Sequence, residues 1–188
     1  MTWAGTGTIQ GGEGAVFNNL AGGTFDIQVN ASFNGAILGG TRTAFNNAGT
    51  VIKSASTSTT TLDVTFNNSD SVNIKTGILS FSNGYTQQTS SSNVGITISG
   101  INAGTDFGQH RTTAGITTLA GNLNVSLNNF TPAVGNSFQV MTFVNRNNMQ
   151  FANINLPALP VGMIWGPPVY TNTSVTLSVQ AGLQQTVK

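Results

Sequence analysis

Apolar and polar residues alternate in short runs along most of the chain. Leu62, Val64 and Phe66 alternate with Thr61, Asp63 and Thr65, and Val72 and Ile74 with Asn73 and Lys75. Further runs are Val94/Ile96/Ile98, Leu123/Val125/Leu127 and Val175/Leu177/Val179, with small or polar residues between. A two-residue period places all the apolar side chains of a strand on one face. No stretch carries apolar residues at i, i+3, i+4 and i+7 for three turns, and Gly, Asn and Thr interrupt every helical candidate. The pattern predicts a succession of short strands with one buried face, and no helix.

A loose repeat sits in the first half. Phe17-Asn18-Asn19, Phe45-Asn46-Asn47 and Phe66-Asn67-Asn68 each precede a turn and an alternating strand. Phe81-Ser82-Asn83-Gly84 reads as a degenerate fourth copy. The phenylalanines are 28, 21 and 15 residues apart. Such a variable period suits a β-solenoid, in which each coil keeps its strands and one loop changes length. Phenylalanines at one point of successive coils would stack in the narrow interior. Asparagine at the corner would tolerate left-handed backbone and pair its amides along the axis as a ladder. The competing reading of FNN is an ordinary hairpin turn in a sandwich.

From about residue 89 the FNN pattern stops and the strands lengthen. The expected organisation is solenoid repeats over 1–88, a C-terminal β-rich cap or sandwich-like segment over 89–182, and a tail over 183–188. Continued coils and a separate sandwich both fit that second segment.

Composition narrows the function classes. Only 6% of the 188 residues are charged, and the net charge is +1, which leaves no electrostatic footprint for nucleic acid or anionic lipid. The cations Arg42, Lys53, Lys75, Arg111, Arg146 and Lys188 are scattered singly and read as solvated surface. There is no cysteine, so disulfides and thiolate metal sites are excluded. No apolar run approaches the roughly 20 residues of a membrane span. The opening MTWAGTG lacks a basic region followed by an apolar one and is not a signal peptide. If the protein is exported, this chain is expected to be an excised piece.

FNNAGTVIK, FNNSDSVNIK and WAGTGTIQGGEGAVFNNLAGGTF resemble bacterial autotransporter-type and filamentous-haemagglutinin-like adhesin passengers. TTLAGNLNVSLNNFTPAVGNSFQVMTF, FANINLPALPVGMIW and TSVTLSVQ are similar to the segment that closes the repeat regions of such proteins. The resemblance covers nearly the whole chain and implies a right-handed parallel β-helix, export, and a place on the bacterial cell surface or in the medium. It implies no catalytic residue and no cofactor. In two respects the chain departs from the family: the repeats number only three or four, and no membrane barrel follows them.

The ionisable residues offer little for catalysis. Asp63 and Asp70 are the one close carboxylate pair, and Asp106, His110 and Arg111 the one cluster of unlike groups. A single histidine rules out a histidine-rich metal site. T-x-T pairs at Thr6/Thr8, Thr41/Thr43, Thr57–Thr61 and Thr171/Thr173 raise an ice-binding reading, which their irregular spacing disfavours. Tyr85, Trp165 and Tyr170 are the aromatics least explained by the repeat and are the candidate ligand contacts, with core or cap packing as the alternative. The expected role is a non-catalytic structural or adhesive module, with itself (as oligomer or filament) or surface glycans as partners. Glycan binding, ice binding and polysaccharide cleavage are the alternatives.

Overall fold

The computed structural model describes residues 1–182 and is all-β. β1 (Thr2–Trp3) and β2 (Ile9–Gln10) lead into a series of three-strand coils. The first comprises β3 (Val16–Asn19), β4 (Thr24–Ile27) and β5 (Ser32–Asn34). The second comprises β6 (Ala44–Asn47), β7 (Thr50–Lys53) and β8 (Thr59–Asp63), and the third β9 (Thr65–Asn68), β10 (Ser71–Ile74) and β11 (Ile78–Phe81). The fourth holds β12 (Tyr85–Gln87), β13 (Asn93–Ile98) and β14 (Gln109–Thr112). The fifth holds β15 (Thr117–Thr118), β16 (Asn122–Leu127) and β17 (Ser137–Thr142). The chain closes with β18 (Asn153–Asn155), β19 (Met163–Trp165), β20 (Val169–Tyr170) and β21 (Ser174–Ala181).

Every strand from β3 to β14 pairs in parallel with the strand three places later, which is the signature of stacked coils. Three sheets result. Sheet one runs β1-β4-β7-β10-β13-β16-β18 and sheet three β15-β12-β9-β6-β3. Sheet two runs β2-β5-β8-β11-β14-β17 and continues into β21 and β19. The expected stacking of coils is what the strands show, so FNN is not a hairpin turn.

Alternation makes the interior. In β6, β7 and β10 every second residue is buried, and the buried apolar residues form one cluster from Trp3 to Val179. Full burial of each such side chain contributes roughly 1.5–3 kcal/mol. Because only one face of each strand is dry, the register is strongly specified: a slip by one residue would turn every apolar side chain outward.

The expected boundary at residue 88 falls inside the fourth coil, between β12 and β13. Parallel pairing continues to β18, so much of 89–182 is solenoid and not a separate unit. Only then does the pattern change. β21 lies antiparallel on β17, and β19 and β20 lie antiparallel on β21. The expected tail at 183–188 lies outside the described residues.

Candidate functional site

The FNN segments are strands, not corners. Phe17, Phe45 and Phe66 are mutual register partners in β3, β6 and β9. Their ring centroids lie 4.6 and 4.9 Å apart. The fourth member of this column is Tyr85, paired to Phe66 with ring centroids 5.7 Å apart. Phe81, expected to open the fourth repeat, belongs to sheet two instead and pairs with Leu62. The fourth copy of the motif is therefore Tyr85-Thr86-Gln87.

Each asparagine of the motif serves a separate ladder. The second one points inward: Asn19 Nδ2 donates to Asn47 Oδ1 at 2.7 Å, and Asn47 Nδ2 to Asn68 Oδ1 at 2.7 Å. The first points outward, with Asn46 donating to Asn18 and Asn67 to Asn46, both at 3.0 Å. None of the six has the left-handed backbone expected of a corner. Extended backbone sets identical amides one strand spacing apart, close enough to bond directly. A further ladder, on sheet one, runs Asn153 to Asn122 and Asn122 to Asn93.

The three candidate contact residues are placed apart. Tyr85 is fully buried, its hydroxyl accepts from Asn68 Nδ2 at 3.3 Å, and burial pushes its pKa up. It cannot meet a ligand from solution, and that expectation is corrected. Trp165 is half-buried against Phe138, and its Nε1 donates to the Pro157 carbonyl at 2.8 Å. Tyr170 is half-buried too; its hydroxyl accepts from Phe151 N, and the Arg146 guanidinium lies 5.3 Å from its ring. Burial raises its pKa, opposed by that bond and by Arg146. Both rings lie in the antiparallel closing segment, and no aromatic ring is exposed among the described residues.

The ionisable residues are also dispersed. Asp63 pairs with Arg42 and accepts from Ser82 Oγ at 2.8 Å, whereas Asp70 accepts from Ser71 Oγ at a different corner. Asp106 accepts from Asn102 on the outside, while His110 four residues on faces the core. No three of His, Cys, Asp and Glu come together among the described residues. Threonines do not form a flat array, since Thr43 and Thr60 are buried.

Two of the cations assigned to surface are not there. Arg146 is buried and donates to the Thr171 and Met149 carbonyls. Lys53 is fully buried in the sheet-one column between Ile27 and Ile74. Its Nζ donates to the Val29 and Ala55 carbonyls and to Thr60 Oγ1 at 3.3, 3.2 and 3.0 Å. Desolvation pushes its pKa down to about 8. A Cβ on Gly77 would fall 2.5 Å from Lys53 Cε, so glycine there makes room for the lysine. Alternation in TVIK signalled an inward position 53, but nothing in the sequence signalled the carbonyl partners, which come from the connections after β4 and β7.

The surface feature with most potential for binding is a groove on the outer face of sheet one. Its larger part holds about 520 Å³ and is lined by Ser54, Lys75, Thr97, Ser126, Asn128 and Asp106. A smaller part of about 240 Å³ shares Lys75, Thr97 and Ser126 and adds Asn73, Gly95 and Asn124. The floor is built by alternation, since outward residues of β7 through β16 stand in register. From Ser54 to Ser126 it crosses four coils, roughly 14 Å at ordinary strand spacing. The long β13–β14 connection forms one wall. It is braced by Asn102 N and Nδ2 donating to Asp106, by Ser99 N to the Asp106 carbonyl and by Gly104 N to the Phe107 carbonyl. Lys75 is exposed and makes no side-chain hydrogen bond or ion pair among the described residues. Sequence reading missed the groove because its parts are spread over residues 54–128.

No protein-family model, curated protein or solved structure matches this chain.

Proposed function

We propose that this chain is a non-catalytic structural and adhesive module of a secreted or cell-surface bacterial protein, similar to autotransporter-type and filamentous-haemagglutinin-like passengers. On this reading it winds as a right-handed parallel β-helix, and the antiparallel β17–β21 segment acts as its C-terminal cap. The observation that carries the proposal is the unbroken interior column with its paired amides, running coil over coil from Phe17 to Tyr85. That construction yields a stiff ladder with a broad, charge-poor exterior, suited to projecting or presenting a face.

Self-association is part of the proposal. Among the described residues β3 is an outer strand of sheet three with one edge unpaired, beside which Val16 and Leu20 are 58% and 71% exposed. Such an edge is a template for another strand. Sedimentation across a wide concentration range is expected to show reversible assembly, reduced by Val16→Lys. A strictly monomeric profile would sink this part.

The sheet-one groove favours a second reading, glycan binding. A linear polyhydroxylated chain matches a floor of hydroxyls and amides with one free ammonium. Without a stacking ring the affinity rests on hydrogen bonds and is expected to be weak. Titration with neutral and uronate-containing oligosaccharides should show binding that falls at least fivefold in Lys75→Ala and Thr97→Ala. Binding unaffected by both changes would remove the groove from consideration.

A further inference from the structure

A small-for-large exchange interrupts the interior where the fourth coil passes into the fifth. In the preceding turn of chain, Phe81 closes β11 and Tyr85 opens β12, and both rings are fully buried. Their register partners are Thr112 and Thr117. Both threonines are buried, and neither hydroxyl has a hydrogen-bond partner among the described residues. His110 is 0% exposed and lies against the same two rings, 4.7 Å from Phe81 and 4.4 Å from Tyr85. Neither of its ring nitrogens has a hydrogen-bond partner among the described residues. Four polar atoms from three side chains thus gather over one pair of rings.

The layer beyond is large again. His110 and Arg111 pair with Met141 and Thr142, which carries the buried Phe143 on towards Thr112, and Thr117 N donates to the Asn145 carbonyl beside buried Arg146. Two threonines stand where the preceding layer holds two aromatic rings, a difference in side-chain volume larger than the roughly 30 Å³ share of one water. Folded proteins seldom leave several buried polar atoms unpaired in one place.

We propose that this corner is a closed polar chamber that binds ordered water, with the hydroxyls of Thr112 and Thr117 and the ring nitrogens of His110 as its ligands. The chemistry selects water over an ion. Among the described residues no carboxylate bonds into the corner; Arg111, between His110 and Thr112, lies on the opposite face of β14 with its Nη2 donating to Gln109 Oε1, and buried Arg146 is bonded to the Thr171 and Met149 carbonyls. A neutral molecule that can both donate and accept suits hydroxyls and an uncharged imidazole, and buried waters characteristically make about three such bonds.

A crystal structure of the full chain at about 1.5 Å resolution tests this. The expected result is a peak within roughly 2.7–3.2 Å of a His110 nitrogen and of a threonine hydroxyl. A dry corner, or hydroxyls turned onto backbone carbonyls, overturns the proposal. Thr112→Val and Thr117→Val give an independent reading, since they keep shape and remove only the hydroxyl. A hydrated chamber predicts that each lowers Tm by about 2–4 °C. A dry one predicts unchanged or raised Tm, because an unpaired buried hydroxyl has been deleted. In Thr117→Phe, which extends the aromatic column by one ring, the peak should vanish.

Discussion

The first three coils and the next two share one backbone plan but fill it differently. From Phe17 to Phe66 the interior of sheet three is phenylalanine on phenylalanine, and the inward asparagines bond one another at 2.7 Å. In the fourth and fifth coils the corresponding places hold Tyr85 and Thr117, then Gln87, with His110 and Thr112 beside them. The unpaired buried atoms concentrate there: Gln87 Oε1, both His110 nitrogens and the hydroxyls of Thr112 and Thr117, with Thr43 Oγ1 the exception in the second coil. Parallel pairing tolerates both fillings, because backbone bonds hold the coils in register whatever the interior contains. The filling decides how much each coil adds to stability.

The largest expected contrast comes from truncating one member of the column in each region. Phe66 touches Phe45, Phe81 and Tyr85, so Phe66→Ala opens a cavity that neighbours on both sides cannot close. A loss of about 3–5 kcal/mol is expected. Thr117→Ala, at the equivalent point of the fifth coil, should cost about 1 kcal/mol or less. Chemical denaturation followed by circular dichroism compares them, and equal losses would mean that the column is not what stabilises the early coils.

The ladder separates inside from outside. Asn47→Leu leaves Asn68 Oδ1 without its donor in a dry interior and takes from Asn19 Nδ2 its shortest bond, leaving it the Thr50 carbonyl, and should cost roughly 2–3 kcal/mol. Asn46→Leu, which breaks the solvent-facing ladder, should cost about 0.5 kcal/mol. Similar values for the pair would show the inner ladder to be no stronger than the outer.

His110 makes the later region sensitive to acid. Burial pushes its pKa down to about 3 from 6.5. Between these values the unfolded chain binds a proton that the folded chain refuses, so stability falls as pH falls through that window. The loss from pH 7 to pH 5 should be roughly 2 kcal/mol. His110 is the only histidine in the chain. His110→Phe should flatten the profile, and a slope that survives the substitution would assign it elsewhere.

Legibility in the sequence followed the same division. Strict alternation and a thrice-repeated FNN carried the stacked coils, because identical residues on successive strands leave a periodic trace. Where the column continues as Tyr85 and Thr117 the trace is lost, since register partners of different chemistry and irregular spacing look unrelated along the chain. The same cause misplaced Phe81 as a fourth repeat and put the solenoid boundary near residue 88. Charge misled differently. Lys53 and Arg146 look like surface cations until each is held by one local carbonyl and one from a distant segment. The groove was invisible because no two of its floor residues from different coils are close in sequence.

Lys53 gives the smallest of the four expected contrasts and the one that tests how dry the early coils are. It stands where its column neighbours are Ile27 and Ile74, its pKa pushed down to about 8 from 10.5. Between these values the unfolded chain holds a proton that the folded chain has released, so stability rises with pH, in the same sense as at His110 but in a higher window. From pH 7 to pH 9 the gain should be roughly 1 kcal/mol, about 2–4 °C in Tm. Above pH 10 the buried Tyr85 hydroxyl, whose pKa is pushed up, works in the opposite sense, so the measurement belongs below that value. Lys53→Met keeps the length and apolar stem while deleting the ammonium, and should abolish the gain. If the gain persists in Lys53→Met, another group carries it, and burial at this point of the second coil does not depress the lysine pKa.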